Sequence, residues 1–465
     1  MINLTQTSPD KLNKTLLMVV TMASHFFNPF MGAAVNVALK KIGEDFSMSA
    51  VGLSWITMSY LLASSIFLVP WGKLGDTWGR TKMFLLGNIF FSVTTLLCGF
   101  ATSAAMLITL RFLQGIASAM MVSTIMALII TAFPPNQRGR VIGLNVSSVY
   151  IGSALAPTIG GFLTDSLTWR SIFFINAGTS ILISLFIIWK FRQEWSEPVK
   201  EKFDYKGSVI YMVAITMLMY GFSRLPDPDA IALTITGLAG LAVFTKVETK
   251  SDAPVLNIRL FTHNRVFALS NLSALINYSA TFAISFMLSL YLQYVKGMEA
   301  REAGSVLMAQ PIMMAIVASF SGKLSDRKNP RILAAIGMGT SATGLFILSF
   351  VGADTSLVYI ISGLIILGSG FGMFSSPNTN VVMSSVDKKV YGTASATLAT
   401  MRTTGMMTSM AIASLTIHLL LGNAQINVHT LPPFITSTRI VFAIFTVLCS
   451  FGVYTSLVKA SSDKT

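Results

Sequence analysis

Along the chain, apolar residues gather into long runs separated by short polar turns. The runs cover approximately 16–38, 50–70, 83–101, 105–131, 141–163, 171–190, 207–223, 230–245, 266–292, 303–321, 332–351, 356–377, 391–420 and 438–457. A helix needs about 20 apolar residues to cross the hydrocarbon of a bilayer. About fourteen spanning helices are therefore predicted, with 230–245 the weakest because it is short. The first fifteen residues are polar, and the apolar run after them is too long for a signal-peptide core. No small-residue cleavage pattern follows, so the run is expected to stay as a first helix. The pattern predicts an all-α polytopic membrane protein.

Composition agrees. Only 11% of the residues are charged and 53% are hydrophobic, where a soluble domain carries about a quarter charged residues. A net charge of +14 raises the question of nucleic acid, but the placement of the basic residues argues for topology. With a cytoplasmic N-terminus, 24 of the 33 lysines and arginines lie inside, among them Lys14, Lys73, Arg80, Arg138, Arg140, Arg265, Lys323 and Arg327. Seven lie outside (Lys40, Lys41, Arg170, Arg224, Lys296, Arg301 and Arg439), and Arg111 and Arg402 fall within spans. The positive-inside rule then puts both termini in the cytoplasm. A multi-pass protein of the plasma membrane is expected, with lipid rather than nucleic acid as its surroundings. Cys98 and Cys449 sit in separate apolar runs and make neither a disulfide framework nor a metal spacing.

Gly72-Lys-Leu-Gly-Asp76-Thr-Trp-Gly79-Arg80 returns as Gly322-Lys-Leu-Ser-Asp326-Arg-Lys-Asn-Pro-Arg331, 250 residues later. Arg140-Val-Ile-Gly143 is echoed by Lys389-Val-Tyr-Gly392 at an offset of 249. Two matches at nearly one offset predict two six-helix halves. The expected organisation is a tail 1–15, a six-helix bundle 16–192, a linker 193–265 carrying two extra helices, a second bundle 266–457 and a tail 458–465. The repeated loop suits a hinge. Its glycines permit close helix approach, its aspartate suits a helix N-terminus, and a nearby arginine can pair with that aspartate and release it. An ordinary polar turn with a carboxylate cap is the alternative, and the second copy in register argues against it.

These residues resemble the major facilitator superfamily, specifically its fourteen-helix drug:proton antiporter branch. The first loop is similar to that superfamily's first signature, with Gly72, Asp76, Gly79 and Arg80 in the expected places. Arg111-Phe-Leu-Gln114-Gly115 resembles the second, in which the arginine is tied to proton transfer. Gly143, Gly152, Ala156, Pro157, Gly160 and Gly161 follow the spacing of the antiporter signature, with Ala156 in place of the usual glycine. Weaker matches run from Trp55 to Tyr60, Trp169 to Asn176, Leu292 to Gly304 and Gly392 to Gly405. Two departures stand out near Val35-Asn36-Val37-Ala38-Leu39: Met31 occupies the customary acidic position, and Lys40 replaces a proline. The resemblance implies a major facilitator fold with two six-helix bundles and two extra helices between them. It further implies proton antiport of small amphiphilic compounds or drugs by alternating access. Gly72, Asp76, Gly79, Arg80, Gly322 and Asp326 would form a conformational latch.

Ionisable groups inside a membrane are functional candidates, because placing them there is costly. None of the 19 acidic residues falls near the middle of a span. Asp165, at the outer end of the fifth helix, is read either as a partner of Arg170 or as a proton site. Arg111 and Arg402 each serve as a gating or substrate-facing cation, or lock helices through backbone carbonyls. His25 could titrate in place of the missing acid, or be a hydrogen-bonded packing residue. Together with Gln114 these are the coupling candidates. Cavity candidates are Asn36, Tyr60, Asn277, Tyr278, Tyr291, Phe374 and Asn378, each also readable as packing. The 26 methionines form no metal-binding repeat, and Gly368-Ser-Gly370-Phe-Gly372 has no strand before it and reads as helix packing. No metal, cofactor or catalysis is expected, and the chain is expected to act as a monomer. The leading expectation is a secondary active exporter. Its alternatives are an exporter of a specific neutral or anionic metabolite without strict proton coupling, and a non-transporting receptor on the same fold.

Overall fold

The computed structural model describes residues 9–190, 203–251, 254–256, 258–325, 327–387 and 391–457. Fourteen helices there are long and apolar enough to cross a bilayer. They are α1 (Lys14–Phe46), α2 (Ala50–Trp78), α3 (Arg80–Gly99), α4 (Ala104–Ala132), α5 (Arg140–Ser166), α6 (Trp169–Trp189) and α7 (Tyr205–Ser223). The others are α8 (Pro228–Glu248), α9 (Arg265–Val295), α10 (Ala300–Ser325), α11 (Pro330–Leu348), α12 (Leu357–Ser384), α13 (Thr393–Leu421) and α14 (Leu431–Leu457). No strand occurs among the described residues.

Helix ends follow local chemistry. Ser49, Ser103, Asn264 and Ser356 each accept a bond from the backbone N–H three residues on, capping α2, α4, α9 and α12. Asp204 does the same for α7. The weakest predicted span, α8, is 21 residues long, roughly 31 Å of helix. Pro228 and Glu248 lengthen it at its two ends. α14 begins at Leu431, seven residues before the apolar pattern suggests, because Pro432 and Pro433 lie in the first turn, where a missing N–H costs little. α1 likewise runs through Lys40 and Lys41 to Phe46.

One packing scheme occurs twice. In the first half α1 lies on α5 and α6, α2 on α4, and α3 on α4 and α6. In the second, α9 lies on α13 and α14, α10 on α12, and α11 on α12 and α14. The sequence repeat is thus a repeat of packing. The halves meet along two seams that correspond under it, α5 against α10 and α2 against α13. The hairpin α7–α8 rests on the second seam through α7, and the Tyr211 hydroxyl donates to Ser65 O at 3.1 Å.

The seams depend on absent side chains. A Cβ on Gly304 would stand 2.1 Å from Pro157 O, and one on Gly161 would stand 2.4 Å from Ala300 O. On another face of α5, Gly152 and Gly160 press in the same way on Phe26 and Ala34 of α1. Gly143 meets nothing, and Ala156 is fully buried. The turn from α2 to α3 needs Gly79, whose φ is 118°.

Candidate functional site

Two regions of polar side chains stand out within the spans. The first lies wholly in the N-terminal half. Arg111 is 1% exposed. Its Nε donates to Ile56 O at 3.1 Å and its Nη1 to Gln114 Oε1 at 2.5 Å. Gln114 Nε2 passes a bond on to Thr95 at 2.6 Å. The guanidinium lies 4.5 Å from the centre of the Tyr60 ring, and the Tyr60 hydroxyl donates to Asn28 Oδ1 (2.9 Å) and bonds the Ser118 hydroxyl (2.7 Å). Arg111 therefore ties α1, α2, α3 and α4 together. No carboxylate is among its described partners.

The second region lies between the halves. Tyr150 of α5 donates to Ser375 Oγ of α12 at 3.2 Å. One turn along α12, Thr379 Oγ1 accepts from Arg402 Nη2 of α13 at 2.6 Å. Arg402 stands 5.7 Å from the centre of the Tyr278 ring, and Tyr278 meets Phe371 edge-on at 5.2 Å. Arg402 Nε is buried without a partner. Arg402, Tyr150, Tyr278 and Thr379 are only half-buried.

Beyond these regions, bonds between the halves gather toward the end opposite the Gly72 loop. Ser289 Oγ donates to Asn36 O, Gln293 Nε2 to Val37 O, and Lys40 Nζ to Gln293 O, at 2.8–3.0 Å. Ser54 bonds Ser414 at 2.9 Å, and Gln425 reaches Ser47 O. Asp165 also belongs here. It accepts from the Arg301 backbone N–H at 2.7 Å, while Arg170 is held by Asp45 at 3.0 Å. The Asp165–Arg170 pair suggested by sequence spacing is corrected accordingly: each residue meets a partner from elsewhere in the chain.

At the signature-loop end, Asp76 and Arg80 pair at 2.7 Å, and Arg80 also donates to Thr131 of α4. Gly72 lies beside Ser123 and Gly322 beside Ser376. Asp326 lies outside the described residues. His25 bonds Asn145 of α5 at 3.1 Å. Asn145 Nδ2 donates to Val141 O, so its oxygen faces the ring and the His25 Nδ1 carries a proton.

The remaining cavity candidates pack within or beneath these regions. Asn36 also accepts from Thr57, Asn277 Nδ2 points to Met338, and the Tyr291 hydroxyl donates to Gly352 O. Phe374 and Asn378 are buried in α12. Of the seven, Tyr278 enters the region around Arg402, and Asn36 accepts across the halves nearer the opposite end. Sequence reasoning missed Tyr150, Phe371, Ser375 and Thr379. The signal was periodicity: Phe371, Ser375 and Thr379 share one face of α12, and Tyr150 lies two turns from Pro157 and three from Gly161. A separate cavity of about 520 Å³ opens where the hairpin meets the α2–α13 seam, with Trp55, Tyr220, Arg224 and His418 in its wall.

Two pseudo-equivalent bundles, with polar residues inside and between them, define a polytopic membrane carrier. The family follows from sequence. A profile of the Major Facilitator Superfamily matches residues 21–410, and the chain belongs to that superfamily. Its fourteen spans fit the fourteen-helix branch. It is 30% identical over 409 residues to the multidrug resistance protein Stp of Mycobacterium tuberculosis (strain CDC 1551 / Oshkosh), covering 86% of this chain and 76% of that one. It is 28% identical over 393 residues to the riboflavin transporter RibZ of Clostridioides difficile (strain 630), covering 84% and 85%. Among solved structures, a bacterial homologue of the human lysosomal transporter Spinster, inward-facing and unoccupied, superposes with a TM-score of 0.69 at 18% identity, covering 96% of each chain.

Proposed function

We propose that this transporter is a secondary active exporter of small amphiphilic organic compounds in the plasma membrane, working by alternating access with protons as counter-ions. One observation carries the reading. The two corresponding seams are bonded from the middle of the spans to one end, and the pair Asp76–Arg80 closes within its own half at the other. Rocking about the seams would exchange which end is bonded.

The positive-inside count puts the signature-loop end and both termini in the cytoplasm. The structure is then a state sealed to the outside, and the latch of Gly72, Asp76, Gly79, Arg80, Gly322 and Asp326 would engage in the opposite state. Relatives named multidrug resistance proteins support a drug-like cargo. His25, bonded to Asn145, is the protonatable side chain in the apolar run 16–38 of α1, on the element where the family's usual acid is replaced by Met31. Arg111 would couple helix positions in its half to that proton.

A second reading has its own support. Within the halves the fully buried charge among the described residues is a cation, Arg111. That favours a neutral or anionic metabolite moved without strict proton coupling. Purified protein in liposomes separates the two. Accumulation that rises with an imposed pH gradient is expected for antiport; flux indifferent to the gradient removes the proton and leaves the second reading.

A further inference from the structure

A guanidinium has five N–H donors. In Arg402 the described bonds use one, to Thr379, and Nε is buried with none. A buried donor left unpaired costs free energy, and most such groups in proteins have partners. Its neighbours do not neutralise it. Tyr278 offers a ring face, Tyr150 across the seam offers a phenol, and no carboxylate is among the described contacts. Arg402 is half-buried where the halves meet, roughly 13 Å along α13 from its signature-loop end.

We propose that Arg402, Tyr278, Thr379 and Tyr150 form a recognition site for an organic anion borne on an aromatic ring. The inference rests on the transporter reading and names its substrate class. The guanidinium fork matches a carboxylate with two parallel bonds, and charge-assisted bonds of this kind are about twice as strong as neutral ones. The rings of Tyr278 and Phe371, set edge to face, supply apolar walls for an aromatic body. Because Tyr150 belongs to one half and the other residues to the second, an occupant would touch both bundles. Its binding would then depend on how they are rocked. A cationic amphiphile would meet like charge at this point.

Binding of three matched probes to the purified full chain tests the site: naphthoate, naphthamide and naphthyltrimethylammonium. Naphthoate is expected to bind at least about tenfold more tightly than the amide, as a bidentate charged contact should. Arg402→Gln is expected to remove that preference, naphthoate losing about tenfold more affinity than the amide. Arg402→Lys, which keeps the charge and loses the fork, gives an intermediate preference and serves if the glutamine variant does not fold. Naphthoate binding no tighter than the amide, tightest binding of the ammonium, or an undiminished preference in both variants overturns the proposal. Labelled naphthoate in proteoliposomes separates the two levels of argument. Transport equal in parent and Arg402→Gln refutes the site and keeps the transporter reading. Arginine-dependent binding with no flux under any gradient refutes export and keeps the site.

Discussion

Arg111 and Arg402 face one problem, a permanent cation within a membrane-spanning bundle, and the fold answers it twice. Around Arg111 the answer is internal. A backbone carbonyl, a glutamine three residues on and a tyrosine face surround it, and the charge is 1% exposed. Around Arg402 it is incomplete: one hydroxyl, one distant ring and an unpaired Nε. A charge closed in by its own half can set geometry but cannot meet cargo. A charge left open between halves can meet cargo. Depth alone did not separate them; partners did.

The largest effect is expected at the closed arginine. Arg111→Met would remove the bonds to Ile56 O and Gln114. Bonds to a charged group contribute about 1.5–3 kcal/mol each, so a loss of about 3–6 kcal/mol in unfolding free energy is expected. Lysine should rescue little, since a single ammonium cannot reproduce the fork stacked on Tyr60. Denaturation in mixed micelles reads this directly. A variant as stable as the parent would remove the distinction between the two arginines.

The seam that brings Tyr150 to Ser375 comes next. Gly304→Val forces a side chain into a space where a Cβ already stands 2.1 Å from Pro157 O. Overpacking costs about 1–3 kcal/mol, and here it falls only on the state in which α5 and α10 touch. That shift is about 5–150-fold in the balance of states. Spin labels at Glu44 and Asn427, exposed in different halves at the same end, should report a longer mean distance with the fold retained. An unchanged distance would mean that this contact does not hold the halves.

Much of the fold was legible, and for physical reasons. Span number follows from runs of apolar residues, and the doubled packing scheme follows from a signature recurring 250 residues on. Helix ends were less so. Lys40-Lys41 and Pro432-Pro433 read as breaks, yet a water-exposed turn of helix tolerates the first and an N-terminal turn tolerates the second. In the site, Arg111 and Gln114 were visible because their partnership is local. Asp165 and Arg170 misled because they are close in sequence. The backbone turns between them, and the true partners come from 136 and 125 residues away. Tyr150, Ser375 and Thr379 went unseen because an isolated hydroxyl in an apolar run does not announce which face of its helix it occupies.

Removing the open arginine should disturb stability little. Arg402→Gln gives up one described bond and an unsatisfied donor together, so its unfolding free energy should stay within about 1 kcal/mol of the parent. A loss matching that of Arg111→Met would show Arg402 to be a structural lock.

The smallest effect belongs to a third arginine, which completes the comparison. Arg170 lies where α6 begins, stacked 4.2 Å from the Trp169 ring centre and paired with Asp45 at 3.0 Å. Both partners are partly in water, at 32% and 45% exposure, and such pairs contribute about 0.2–1 kcal/mol. Asp45→Asn keeps an oxygen for the Trp169 indole N–H, which bonds Asp45 at 2.7 Å, and loses only the charge. The expected cost is therefore below about 1 kcal/mol, and it should shrink further as salt is raised. A loss of several kcal/mol, insensitive to salt, would mean that the acid at this end is as structural as the network around Arg111. Arginine–carboxylate pairing at the membrane edge would then rank with carbonyl locking inside, and the division drawn between Arg111 and Arg402 would not rest on partners alone.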